Sequence, residues 1–428
     1  MRETILPAER PLPQSAVLTK LDGWAKRTLL SVLRRIRLGE IVLRDGEEKH
    51  VFGRRAEDCN LCASLTVHNP HFYSQVLFGG SIGAGEAYMA KHWSADALTA
   101  LLRIILLNES VFMGLDRGLS RLKAPLHKAY HFLHKDTRKG SRINIAAHYD
   151  LGNDFYALFL DETLTYSCGI FERPESTLRE ASVAKYDRIC KKLRLSAEDH
   201  VVEIGTGWGG FAVHAASRYG CRVTTTTISK AQYDLAKERI RGAGVEGRVD
   251  LLFKDYRDLK GRFDKLVSIE MIEAVGHHYL NDFFRCCSNL LTERGAMLLQ
   301  AITIADQAFE RHKKQVDFIK RYIFPGSCIP SVTAMGKAVA EATDLRLVHL
   351  EDITPHYART LRTWRERFFA NIEGVRALGY SETFIRMWEF YLCYCEAGFQ
   401  ERYLGDVQML FTKPLWRLEP LLPPLPSS

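Results

Sequence analysis

Apolar and polar positions divide the chain into two differently patterned stretches. From about residue 180 onward, short apolar runs alternate with amphipathic segments. Strands are expected at 200–204, 221–228, 249–253, 264–269 and 296–303, and helices at 208–219, 230–242 and 278–291. Strand–helix alternation with apolar strands predicts a parallel, doubly wound α/β sheet. A mostly helical stretch over 305–342 interrupts that sheet before further strands near 345–352 and 406–411. An insertion there overhangs the carboxyl edge of the strands, where open α/β sheets bind ligands.

Before residue 140 the pattern is less regular. Residues 1–20 read as a loose arm, and 24–38 as a basic amphipathic helix. Leu29, Leu33 and Ile36 fall on one side of it; Lys26, Arg27, Arg34 and Arg37 lie around the other. Such a helix either packs on its own domain or lies on a membrane surface. Strands are expected around 41–44 and 61–68, and helices near 73–78 and 95–107. Residues 121–142 are rich in Lys, Arg and His and end in Arg138-Lys139-Gly140-Ser141-Arg142, which reads as a linker with a domain border near 140. The last dozen residues are Pro-rich and read as disordered.

Composition adds bounds. A chain of 428 residues has room for about two to three domains. Its 46% hydrophobic and 26% charged content is that of an ordinary globular protein. A formal net charge of +8 suits an anionic partner, either nucleic acid or an anionic membrane face. Ten cysteines without framework spacing, and no secretory leader, predict reduced thiols and a cytoplasmic protein. The best apolar run, Ala97 to Leu107, is too short to span a bilayer and contains Arg103. Contact with a membrane would therefore be peripheral, on the inner face.

The most informative stretch is 201–210, Val-Val-Glu-Ile-Gly-Thr-Gly-Trp-Gly-Gly. An apolar run ends in an acid, and Gly205, Gly207 and Gly209 follow at alternate positions. This is a strand, a tight turn and a helix start, with backbone able to pass close under a nucleotide-like ligand. Gly205-x-Gly207-x-x-Gly210 also fits the dinucleotide pattern. A dinucleotide site needs a ribose-binding acid about 20 residues on. Here the second strand ends Thr224-Thr225-Thr226-Thr227-Ile228-Ser229, with no acid. Glu203 would instead face a positively charged amino group, as in the methionine end of S-adenosylmethionine.

Further segments carry a resemblance. They are His148-Tyr149-Asp150-Leu151-Gly152-Asn153-Asp154-Phe155-Tyr156, Thr165-Tyr166-Ser167-Cys168, Thr227-Ile228-Ser229-Lys230-Ala231-Gln232, and Tyr322-Ile323-Phe324-Pro325-Gly326 followed by Pro330-Ser331. Together they resemble the cyclopropane-fatty-acid synthase family over about 141–413. The resemblance implies a class I S-adenosylmethionine-dependent methyltransferase, with a Rossmann-like doubly wound sheet and a helical insertion. It divides the chain into an N-terminal α+β lipid-binding domain and basic linker (1–140), a methyltransferase domain (141–413) and a Pro-rich tail (414–428). The N-terminal region, with Gly79-Gly80 and Gly85-Glu86-Ala87-Tyr88-Met89, is similar to the extra domain of bacterial enzymes that act on intact phospholipids.

The resemblance also implies residue roles. Glu203, Gly205, Gly207 and Gly209 would cradle S-adenosylmethionine, and Thr227 and Gln232 would supply neutral partners where a ribose acid is usual. Tyr256 would lie by the adenine, while Tyr166 and Ser167 would close over the methionine moiety. The substrate would be an unsaturated phospholipid acyl chain. An alkene is a poor nucleophile, so alignment and water exclusion would contribute most of the catalysis. Methyl transfer leaves a carbocation, which aromatic faces stabilise, and a base must then remove a proton. In the family that base is a bound bicarbonate, and the positions that would hold it are Glu273, Gln300, Tyr357, Cys168 and Ile302. Gln300 stands where the family has histidine, as does Ala274 for many relatives. An amide hydrogen-bonds an anion but relays no proton. This departure points toward the branch making methylene- or methyl-branched chains rather than rings. Cys168 has no defensible histidine partner and reads as a packing and backbone contributor.

Other features carry less. Cys59-x-x-Cys62 lacks the second pair or His cluster of a zinc set, so no metal is expected. Cys286-Cys287 reads as packing, and His277-His278 as a helix start. The aromatic stretches 364–369 and 385–399 suggest apolar helices, as core or as acyl-tunnel lining. The competing functions are an amine N-methyltransferase of the plant alkaloid type and a lipid-binding protein with a non-catalytic methyltransferase half. A nucleic-acid methyltransferase lacks support, since no Asn-Pro-Pro-Tyr-type motif is present. A homodimer remains open.

Overall fold

The structure, a computed structural model, describes residues 19–112, 151–417, 419 and 421. The N-terminal arm, the basic linker, the border near 140, residues 148–150 and the Pro-rich tail lie wholly or mostly outside those residues. Two compact units divide the chain. One gathers the described residues up to 112 with Gln315–Pro325 and Leu361–Tyr403; the other gathers those from 151 to Lys314 with Gly326–Thr360 and those from Leu404 on. Two stretches read from sequence as part of an uninterrupted 141–413 domain thus group with the N-terminal unit. A linear pattern gives the order of segments, not which of them fold back.

The first unit holds a four-stranded sheet in the order β2-β1-β3-β4, with β1 Gly39–Asp45, β2 Glu48–Arg54, β3 Cys62–Val67 and β4 Trp93–Ala95. β1 pairs antiparallel with β2 and parallel with β3. β2 and β4 are absent from the sequence expectations. β2 buries only Phe52 among polar neighbours, and β4 is three residues long. The basic helix runs Lys20–Leu33, starting earlier than expected because Thr19 and Asp22 form a capping box. It buries Leu29 and Leu33, with Ile36 just beyond it also buried, while Arg27, Arg34 and Arg37 are exposed. The short helix expected near 73–78 is part of His71–Met89, kinked at Gly80. Gly85 lets that helix approach Phe318 closely; a Cβ there would lie 2.3 Å from the ring. Phe318 stacks edge-on to Phe390 at 4.7 Å, and Phe390 in turn lies 5.7 Å from Tyr88. These aromatic contacts draw 315–325 and 361–403 into this unit. Buried Glu396 takes Arg362 and Arg365, each at 3.0 Å.

The second unit is built on a seven-stranded sheet in the order β10-β11-β9-β8-β5-β6-β7. Its strands are β5 His200–Ile204, β6 Arg222–Thr227, β7 Val249–Phe253, β8 Phe263–Ile269, β9 Leu291–Ile304, β10 Arg346–Asp352 and β11 Leu404–Thr412. β5 to β9 are parallel, but β11 runs antiparallel to β9 and β10 antiparallel to β11. The sheet is therefore mixed, not parallel throughout; apolar periodicity locates a strand without giving its direction. Apolar clusters cover both faces. Along β9, Met297, Leu299 and Ala301 enter one cluster and Ala296 and Leu298 the other, as a period of two requires. The helix Lys230–Gly242 matches its expected bounds, and helices Asp306–His312, Phe318–Tyr322 and Val332–Ala342 occupy the 305–342 stretch. Among the described residues, no helix is long and apolar enough to cross a membrane.

Candidate active site

The glycine loop leaves the end of β5 at the point where β6 lies to one side and β8 to the other. Gly205 (φ 101°), Gly207 (φ 53°) and Gly209 (φ 85°) all adopt left-handed backbone, and Gly209 caps the helix Gly210–Tyr219. A Cβ on Gly207 would meet nothing within 4 Å, so the loop presents bare backbone to open space. That is the cradle a nucleotide-like ligand requires. Glu203 is buried and accepts the Thr225 hydroxyl at 2.6 Å. Burial pushes its carboxyl up to about 8, against the pull of Thr225 and of the Lys185 charge.

Other expected cofactor residues lie along the same carboxyl edge. Thr227, at the end of β6, donates to the Gln232 side-chain oxygen at 3.0 Å, and both are buried. Tyr256 opens the turn after β7 and sets its ring edge-on to Phe283 at 5.6 Å; burial raises its hydroxyl pKa. Tyr166 meets Tyr156 at 5.3 Å, and Tyr156 meets Trp208 of the glycine loop at 5.0 Å. Trp208 donates its indole N–H to Asn153 at 2.7 Å. This aromatic block ties the Thr165–Cys168 segment to the loop. Ser167 accepts from Lys185 at 2.7 Å. Lys185 is fully buried, which lowers its pKa, while Glu270, Cys168 and Asp406 act the other way.

Beyond β8, three of the remaining five residues, Cys168, Gln300 and Tyr357, converge on one that sequence reasoning passed over. Glu270 has a left-handed backbone, φ 47°. Its Oε1 accepts from the Cys168 backbone N–H at 2.8 Å and from Gln300 Nε2 at 2.7 Å; its Oε2 accepts from the Tyr357 hydroxyl at 2.6 Å. Gln300 is fully buried, and its Oε1 accepts from Gln408 at 3.0 Å. Gln408 accepts from Lys192 at 2.8 Å, and Lys192 pairs with Glu351 at 2.6 Å. Glu273 accepts the Ile302 backbone N–H at 2.6 Å through Oε1, while its Oε2 is buried with no hydrogen-bond partner among the described residues. Burial first, then the Glu270 charge, pushes the Glu273 carboxyl up to about 8. Asp406 is fully buried on β11 with one oxygen that has no hydrogen-bond partner among the described residues, its carboxyl held well above the usual range by burial and the adjacent carboxylates. The Cys168 thiol is likewise pushed up by burial, so Cys168 contributes its backbone N–H rather than a thiolate. Glu270 and Asp406 were the residues missed. Their signal was an acid closing an apolar strand, and Asp406 and Gln408 alternating inside another.

A sheet of this order with this loop at its switch point defines a class I S-adenosylmethionine-dependent methyltransferase. The same architecture is seen in the mycolic acid cyclopropane synthase CmaA1 complexed with SAH and CTAB, with a TM-score of 0.59 and 32% identity over 64% of this chain and 98% of that one. Residues 135–409 match the family model for mycolic acid cyclopropane synthetase, and the chain belongs to that family. It is 38% identical to the tuberculostearic acid methyltransferase UfaA1 of Mycobacterium tuberculosis over 94% of each chain. It is 35% identical to the cyclopropane-fatty-acyl-phospholipid synthase of Escherichia coli K12, over 82% of this chain and 88% of that one. The protein is a C-methyltransferase with S-adenosylmethionine as methyl donor.

Proposed function

We propose that this enzyme methylates the double bond of an unsaturated acyl chain in membrane phospholipid, through a carbocation that then loses a proton, to give a cyclopropane or a methylene- or methyl-branched chain. The observation that carries the reading is the half-buried carboxylate of Glu270, held by three donors at the carboxyl edge of the sheet. A site that ends its reaction by removing a proton from a hydrocarbon needs a shielded acceptor of this kind. S-adenosylmethionine supplies an electrophilic methyl group on a sulfonium sulfur. Glu203, the three loop glycines, Thr227, Gln232 and Tyr256 hold the donor, with Tyr166 and Ser167 at its methionine end. The rings of Tyr156, Tyr166 and Trp208 exclude water and present faces that stabilise a cation. The N-terminal unit binds the lipid, with Arg27, Arg34 and Arg37 toward anionic headgroups and the exposed Leu21 and Trp24 toward the acyl boundary.

The test is incubation with methyl-labelled S-adenosylmethionine, monounsaturated phospholipid vesicles and a soluble secondary amine together. Label in the acyl chains is expected. Label confined to the amine would replace this reading with an N-methyltransferase.

A further inference from the structure

The helix Leu178–Leu193 opens on a capping box of Thr177 and Glu180. Its buried stripe runs through Leu178, Ala181, Tyr186, Ile189 and Leu193 at helical spacing. Lys185 stands in that stripe, where periodicity calls for an apolar residue, and is fully buried. An ammonium in such a place is costly unless a counter-charge meets it. Among the described residues none does: Lys185 forms no ion pair, and its hydrogen bond is to the Ser167 hydroxyl at 2.7 Å. Burial works against its charge, while Glu270, Asp406 and Asp161 support it from a distance. Asp161 itself is taken by Ser182 at 3.1 Å and by the Thr163 hydroxyl at 2.6 Å.

The Ser167 hydroxyl accepts from Lys185, so its own proton must be given elsewhere. No described residue accepts it. Ser167 is followed directly by Cys168, whose backbone N–H is held by Glu270 at the carboxyl edge of the sheet. The site therefore contains a hydroxyl committed to donate, with an unpaired buried cation behind it. That pair complements a carboxylate.

We infer that Lys185 is a positioning residue for the methyl donor, and that through Ser167 it selects the carboxylate of the donor's methionine moiety. This rests on the placement of Ser167 at the methionine end proposed above. Hydrogen bonds that run from an ammonium through a hydroxyl to a carboxylate polarise one another, and the last of them is charge-assisted. Glu203 takes the amino group and Ser167 the carboxylate, so the two charged groups of the amino-acid end are told apart and the donor is held one way round. A purely structural role for Lys185 is not needed. Ser182 and Tyr186 on the same helix already tie down Asp161 and Thr165, the latter at 2.7 Å, and these fix the segment that carries Ser167.

The experiment titrates SAH and decarboxylated SAH (S-adenosyl-3-thiopropylamine) calorimetrically into wild type, Lys185→Met, Ser167→Ala and the double variant, with a thermal melt of each. Wild type should bind SAH about 10–100-fold more tightly than the decarboxylated ligand. Each single variant should lose most of that ratio by weakening SAH alone, and the double variant should lose no more. Wild type that binds the two ligands alike, or Ser167→Ala that keeps the wild-type ratio, would overturn the placement of Ser167 and the inference with it. Loss of the ratio in Ser167→Ala but not in Lys185→Met, or a Lys185→Met protein that weakens both ligands alike, would overturn the inference alone. A second measurement leaves Lys185 in place. In protein carrying nitrogen-15 lysine, the ammonium signal that Ser167→Ala displaces belongs to Lys185. SAH should shift that signal in wild type and decarboxylated SAH should not. Equal shifts, or none, would overturn the inference even where Lys185→Met fails to fold.

Discussion

Glu203 and Glu273 are acids whose protonated form the fold favours, each with a carboxyl raised to about 8 by burial. The unfolded chain ionises them near 4.5. Their contribution to stability is therefore complete below the unfolded value and is lost as pH rises through about 8. Between those limits the loss is about 1.4 kcal/mol per pH unit for each group. Relative to wild type, Glu273→Gln should gain stability as pH rises from about 5 to 8, as denaturant melts at several pH values would show. A donor amino group beside Glu203 favours its ionised form, so SAH binding at neutral pH should release a proton. Titrations in buffers of different ionisation heat should show that release, and Glu203→Gln should abolish it and weaken binding about tenfold. Gln300→Leu leaves Glu270 and Gln408 short of a partner and should cost about 1–3 kcal/mol in a denaturant melt. The glycine loop was legible in the sequence because chemistry and spacing coincide there, whereas Glu273, Tyr357, Cys168 and Ile302 were reached only through the family resemblance. Glu270 was not, since an acid three residues before Glu273 looks like an ordinary strand-end charge until the backbone turns its side chain toward Tyr357.

At the scale of elements, caps and close approaches fix boundaries that apolar periodicity leaves loose. Asp22 completes the Thr19 capping box and also accepts from Ser74 at 2.6 Å and His71 at 2.9 Å. Thr19→Ala should cost about 1 kcal/mol. Asp22→Ala removes the buried acceptor that Thr19, His71 and Ser74 share and should cost more, about 2–3 kcal/mol; paired thermal melts would rank the two. The strands β5 to β8 were readable because each is short, rich in apolar or β-branched residues and bounded by turns. The reversal of β11 was not, because alternation looks the same in either direction. β2 was lost to its polar composition, since its pairing comes from the β1 hairpin rather than from burial.

At the scale of the whole molecule, the segments around Phe318 and Phe390 belong with the N-terminal unit although the sequence places them far from it. Their aromatic stripes read equally well as core or as tunnel lining, and only the contacts with Tyr88 and Gly85 assign them to a core. A net charge of +8 and the exposed arginines in and just after the first helix predict binding to anionic vesicles that weakens as salt shortens the Debye length. A triple Arg27→Ala, Arg34→Ala, Arg37→Ala variant should lose much of that binding in a vesicle sedimentation assay while retaining SAH affinity.

The central claim is methyl transfer to an acyl double bond followed by loss of a proton inside the site. It is tested most directly with S-adenosylmethionine carrying a trideuterated methyl, monounsaturated phospholipid vesicles, and mass spectrometry of the acyl chains. The predicted result is a chain bearing the new carbon with two deuterium atoms, the third having gone to the base, for a ring or methylene product, or with three deuterium atoms and one chain hydrogen lost for a methyl branch. A labelled chain that has lost neither, or acyl chains without label, would contradict the account.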